Sequence, residues 1–119
     1  EEKPLHISMN GKEVYKFVVK VLPQYIDKCL NDAGMKAEDI DYLIPHQANL
    51  RIIKAMAKKL KMTMEQVVVT LDKQGNTSAA SIPLALDLAV RDGRVKRGQL
   101  LLMESFGAGL AWGSALVRY

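Results

Sequence analysis

Two polar residues occupy settings in which side chains do chemistry. His46 stands in Ile44-Pro45-His46-Gln47-Ala48-Asn49, directly after a short apolar run. If that run is a strand of an α/β sheet, His46 lies at its end, where such sheets usually bind ligands. An isolated histidine is nevertheless more often structural. Asn76 follows Gly75 and precedes the small-residue stretch Thr77-Ser78-Ala79-Ala80-Ser81. Small residues allow a ligand to approach a helix start closely, and the asparagine amide is a donor that needs no ionisation. A Gly-Asn pair is equally at home in an ordinary turn. Gly107-Ala108-Gly109 offers backbone N–H groups unobstructed by side chains, as an oxyanion site requires. A tight hairpin would use the same residues.

Positive charge is gathered near His46. On a helix at about 100° per residue, Arg51, Lys54, Lys58 and Lys61 fall within roughly 80° of one another. Ile53, Met56, Ala57 and Leu60 take the opposite side. Such a stripe is either a solvated face or a surface for an acidic or phosphate-bearing partner. Cys29 lies on an apolar helical stripe and reads as a small core hydrophobe. Phosphate-binding glycine motifs, metal-ligand spacings and a serine-hydrolase elbow are absent from the sequence.

These residues need elements to hold them. Residues 11–33 carry helical spacing, with Val14, Phe17, Val18 and Val21, then Tyr25, Cys29 and Leu30. Pro23 must kink this helix or open a second one, and Ala33-Gly34 is a stop signal. Lys36 to Asp39 reads as a solvated connection. Asp41 to Ile44 predicts a strand ended by Pro45, and a second helix runs from about Ala48 to Lys61. The β-branched run Val67-Val68-Val69-Thr70 predicts a strand. Thr77 or Ser78 is expected to cap a helix that extends to about Arg91 and closes at Asp92-Gly93. Leu100 to Phe106 and Leu110 to Tyr119 predict two strands joined at Gly107-Ala108-Gly109. The order α, β, α, β, α, β, β implies an α/β fold with a mixed sheet and flanking helices.

Composition sets the outer bounds. One domain fits in 119 residues, and 49% hydrophobic with 25% charged residues is a globular balance. Glu104 and Asp87 interrupt the longest apolar runs, well short of the roughly 20 residues of a membrane span. Glu1-Glu2-Lys3-Pro4 does not resemble a secretory leader, and no initiator Met opens the sequence, as in an excerpt from a longer chain. A single cysteine fits a reducing compartment, so a cytoplasmic location is expected. The net charge of +4 is modest.

Read together, Ile44-Pro45-His46-Gln47-Ala48-Asn49-Leu50-Arg51-Ile52-Ile53 and Gly75-Asn76-Thr77-Ser78-Ala79-Ala80-Ser81 resemble ketoacyl-ACP synthase III. The 30 positions from His46 to Asn76 agree with that family's interval. The closing run from Glu104 to Tyr119 is also similar to the family's C-terminus. The resemblance covers nearly the whole chain and implies a thiolase-like fold, with residues 1–119 as the C-terminal catalytic half. It implies condensation of a short acyl-CoA, often acetyl-CoA, with malonyl-ACP by a Cys-His-Asn triad. The nucleophilic cysteine would lie in the N-terminal half, since the setting of Cys29 does not match it.

By the same resemblance, His46 and Asn76 would donate to the malonyl thioester carbonyl, and the N–H of Ala108 would serve the acyl-cysteine carbonyl. Phe106 would line the acyl pocket and Asn49 would lie near the pantetheine arm. Gln47, Ala48, Asn49, Leu50 and Arg51 match the segment that binds the acyl carrier protein, with Lys16, Lys58 and Lys59 as further basic positions. The implied partners are that carrier protein, acyl-CoA as substrate, the N-terminal half and a second copy in a homodimer. Neither a cofactor, a metal, a nucleic acid nor a membrane is implied. Related condensing enzymes of polyketide or alkylquinolone type, and a non-catalytic carrier-binding module, are the alternatives. Elongating ketoacyl synthases use two histidines, which Asn76 disfavours.

Overall fold

The computed structural model describes residues 10–119. The segment Glu1-Glu2-Lys3-Pro4, with the leader expectation that rests on it, lies outside the described residues. Helix α1 (Gly11–Lys20) opens on Asn10, whose side chain accepts from the Glu13 N–H. Pro23 opens a second helix, α2 (Leu22–Asp32), where its missing N–H costs no interior hydrogen bond. Gly34, at φ +68°, ends α2 while the Met35 N–H turns back to the Leu30 carbonyl. After a 3-10 turn at Ala37–Asp39 come strand β1 (Tyr42–Pro45) and helix α3 (Leu50–Lys59). A short helix α4 (Leu71–Gln74) and helix α5 (Ser81–Arg91) precede strands β2 (Leu100–Gly107) and β3 (Ala111–Arg118).

The sheet is mixed. Strand β1 pairs parallel with β2, with Pro45 opposite Glu104. Strand β2 pairs antiparallel with β3, with Phe106 opposite Trp112 and Gly107 opposite Ala111. Because side chains alternate along a strand, β2 feeds two cores. Leu100 and Leu102 join Val18, Leu22, Ile26, Ile53 and Met56 on one face. Leu101 joins Ile44, Ala85, Ala89 and Val95 on the other. Covering both faces explains the unbroken apolar run at the start of β2.

Two expected features differ. The run Val67 to Thr70 makes only one bridge, Val67 beside Leu43, with the Val68 N–H on the Leu43 carbonyl at 3.0 Å. It does not become a strand because the buried Gln47 amide takes its next backbone groups, donating to Val68 O at 3.0 Å and accepting from Thr70 N at 2.8 Å. Neither Thr77 nor Ser78 caps α5; a 3-10 turn at Ser78–Ala80 leads into the helix, and the Asn76 side chain closes that turn instead.

Candidate active site

The end of β1 and the start of α5 meet at His46. Its backbone N–H donates to the Glu104 carbonyl at 2.8 Å, which extends the β1–β2 ladder by one residue. The ring edge meets Phe106 at 5.5 Å and 78°. Ring atom Nδ1 lies 2.7 Å from Ser81 Oγ. Burial disfavours the imidazolium and lowers the pKa of His46 below its ordinary value. At neutral pH the ring is therefore uncharged and has one N–H to donate.

Asn76 is aimed by its own turn. Its Oδ1 accepts the Ser78 backbone N–H at 3.0 Å. A backbone N–H needs an acceptor there, so the oxygen is fixed on the turn and Nδ2 becomes the outward donor. His46, Asn76 and Phe106 line one cleft of ≈ 480 Å³ with Ser78 and Trp112. The same three line an adjoining cleft of ≈ 430 Å³ with Asn49 and Ala108. The fold thus brings together His46, Asn76, Phe106, Asn49 and Ala108 from the sequence reading, with Ala48 beside them in the second cleft. Two neutral side-chain donors at the rim of a partly apolar cleft are suited to stabilising negative charge on an oxygen.

The basic positions lie outside these clefts. Arg51, Lys54, Lys58 and Lys61 are exposed, and Ile53, Met56, Ala57 and Leu60 are buried, as the helical spacing requires. Lys16 and Lys59 are exposed as well. The Arg51 guanidinium lies over the Tyr15 ring, 4.6 Å from its centroid. Asn49 caps α3, its Oδ1 accepting from Ile52 N at 2.8 Å. Leu50 is exposed and Ala48 half-buried.

Gln47 differs from the rest of that segment. It is fully buried, and its amide is taken up by Pro45 O, Val68 O and Thr70 N. Its side chain therefore faces the fold and leaves no group for a docking partner. Cys29 is half-buried rather than in the core, because it lines a separate cleft between α2 and β3 with Trp112 and Leu116.

Two further residues border the site without having been expected there. Ser81 meets His46 across 35 positions of sequence, with no local pattern to reveal it. Glu104 showed in the sequence only as a break in an apolar run and the start of the closing motif, yet it is 2% exposed and its Oε2 has no hydrogen-bond partner. Among the described residues, no group of three or more His, Cys, Asp or Glu could hold a metal ion. No described helix is long and apolar enough to cross a membrane.

A mixed sheet with flanking helices is the architecture of a thiolase-like C-terminal domain. The match is specific: residues 30–119 fit the family model of the 3-oxoacyl-[acyl-carrier-protein (ACP)] synthase III C terminal. The chain belongs to that family. It is 62% identical over 114 residues to the β-ketoacyl-[acyl-carrier-protein] synthase III of Alkalilimnicola ehrlichii, covering 96% of this chain and 35% of the relative. The crystal structure of 3-oxoacyl-[acyl-carrier-protein] synthase III from Aquifex aeolicus superposes with a TM-score of 0.92 at 49% identity, covering 96% of this chain and 37% of that one. The priming β-ketosynthase of the R1128 polyketide biosynthetic pathway gives 0.86 at 38% identity, covering 92% and 33%. The chain thus spans about a third of the length of the proteins it matches.

Proposed function

We propose that residues 1–119 act as the C-terminal catalytic half of a complete β-ketoacyl-ACP synthase III, which condenses a short acyl-CoA with malonyl-ACP. The observation that carries this reading is the convergence of His46 and Asn76, both neutral donors, on the same clefts beside Phe106. In the complete enzyme, a cysteine of the N-terminal half takes the acyl group from CoA as a thioester. The carbon–carbon bond to the malonyl carboxylate then breaks, releasing CO₂ and leaving an enolate. His46 and Asn76 donate to the enolate oxygen, where the charge develops. The enolate carbon attacks the acyl-cysteine carbonyl, whose oxyanion the Ala108 N–H receives. Collapse expels the cysteine thiolate and yields 3-oxoacyl-ACP.

On this reading, exposed Arg51 and the flanking Lys16, Lys58 and Lys59 face the acidic carrier protein. Asn49 and the wall around Ala108 would pass the pantetheine arm toward His46. A docking module would need neither His46 nor Asn76, which favours the enzyme. At 62% identity, the Alkalilimnicola ehrlichii synthase III stands well above the 38% of the polyketide priming synthase, which favours the first class of product. The test is formation of 3-oxoacyl-ACP from acetyl-CoA and malonyl-ACP by the complete enzyme and its His46→Ala variant. Wild-type turnover that the substitution abolishes is expected; undiminished turnover by a folded variant would refute the reading.

A further inference from the structure

Ser81 is 1% exposed at the first residue of α5, and its hydroxyl has two polar neighbours. The Gln47 backbone N–H donates to Oγ at 3.3 Å, and His46 Nδ1 lies 2.7 Å away. A backbone N–H can only donate, so it occupies a lone pair of Oγ and leaves the hydroxyl proton to be placed. No other side-chain or backbone acceptor is bonded to Oγ among the described residues. Were Nδ1 protonated and donating to Oγ, the hydroxyl proton would be buried without an acceptor, a desolvation cost that nothing offsets. With the Ser81 O–H donating to an unprotonated Nδ1, every group in the chain Gln47 N–H, Ser81 O–H, His46 is satisfied.

We infer that Ser81 is the positioning residue that fixes His46 in the tautomer protonated at Nε2 and holds its ring toward the cleft. This inference rests on the reading of His46 as a donor to a developing oxyanion, and it specifies which nitrogen donates and what keeps the proton there. Direction and register come from the backbone: Gln47 is anchored at Pro45, Val68 and Thr70, so the N–H that orients Ser81 is held by a fully buried residue. Ser81 touches no reacting atom; it acts through the imidazole.

The test uses the complete enzyme labelled with ¹⁵N-histidine, the His46 resonances being identified by their loss in His46→Ala. Wild type should show an unprotonated, hydrogen-bond-accepting Nδ1 and a protonated Nε2. In Ser81→Ala the two nitrogens should move toward a mixed tautomer, and malonyl decarboxylation should fall by about 10–100-fold, by analogy with the loss when the partner that orients a metal-bound imidazole is removed. Acylation by acetyl-CoA should change far less. Ser81→Thr, which keeps the hydroxyl, should recover the wild-type resonances and most of the rate. A protonated Nδ1 in the wild type overturns the inference without any variant having to fold. So does an unaltered decarboxylation rate in Ser81→Ala while His46→Ala is inactive. If His46→Ala itself decarboxylates normally, the donor reading fails instead.

Discussion

Gln47 and Thr70, 23 residues apart, are joined by a 2.8 Å hydrogen bond from the Thr70 N–H to the Gln47 side-chain oxygen. The same amide donates to Val68 O and Pro45 O at 3.0 and 2.9 Å. One buried side chain thus ties the residue before His46 to the segment that leads, through α4, to Asn76. Gln47→Ala leaves three buried backbone groups without these partners and should destabilise the complete enzyme by about 2–4 kcal/mol. Gln47→Glu, which sets a carboxylate against two carbonyls, should be worse. Urea unfolding measures both; a loss under about 0.5 kcal/mol, the range of an ordinary surface substitution, would show that the amide does not hold these segments together.

Glu104 makes stability depend on pH. Burial pushes its carboxyl up to about 7 from an ordinary value of 4.5. Between those values the folded protein holds a proton that the unfolded chain has lost. Stability is therefore greatest on the acid side of the window, falls as pH rises through it and levels off above about 7, a loss of about 3 kcal/mol. Glu104→Gln should remove this fall, since an amide of the same shape does not ionise. Unfolding midpoints of the two proteins compared between about pH 5 and 8 decide the matter; parallel profiles would contradict it.

The distinction between what the sequence revealed and what it hid is physical. Apolar periodicity located α1, α2 and α3 because burial on a helix repeats every 3.6 residues, the runs on either side of Gly107-Ala108-Gly109 marked the final hairpin, and Pro23 and Gly34 marked the ends by backbone geometry. The same β-branched rule failed at Val67 to Thr70, where a distant amide displaced the sheet ladder. His46 and Asn76 were legible only as a pair of motifs, since each alone fits a structural role. The contact of Ser81 with His46, the burial of Gln47 and the unpartnered carboxyl of Glu104 are tertiary. Nothing within a few residues of any of them encodes the neighbour it meets.

Arg51 should distinguish docking from chemistry. It is exposed on α3, steadied over Tyr15, and absent from the lining of both clefts at His46. Arg51→Glu should therefore impair use of malonyl-ACP far more than use of malonyl-CoA, and weaken the salt dependence of the former, because a rim charge acts mainly on encounter. Initial rates with the two substrates over a range of ionic strength provide the comparison. Equal losses with both would place Arg51 in the fold or the chemistry.

Asn76 bears on the central claim, that the His46–Asn76 pair serves decarboxylation and not acyl transfer. The decisive measurement is of both half-reactions in the complete enzyme carrying Asn76→Ala: acetyl-enzyme formation from labelled acetyl-CoA, and release of CO₂ from malonyl-ACP. Removing one proposed donor to the enolate oxygen should slow CO₂ release by about 10²–10³-fold, while acetylation, whose oxyanion the proposed mechanism gives to the Ala108 N–H, stays near the wild-type rate. CO₂ release at the wild-type rate, or acetylation that falls equally far, would contradict the account.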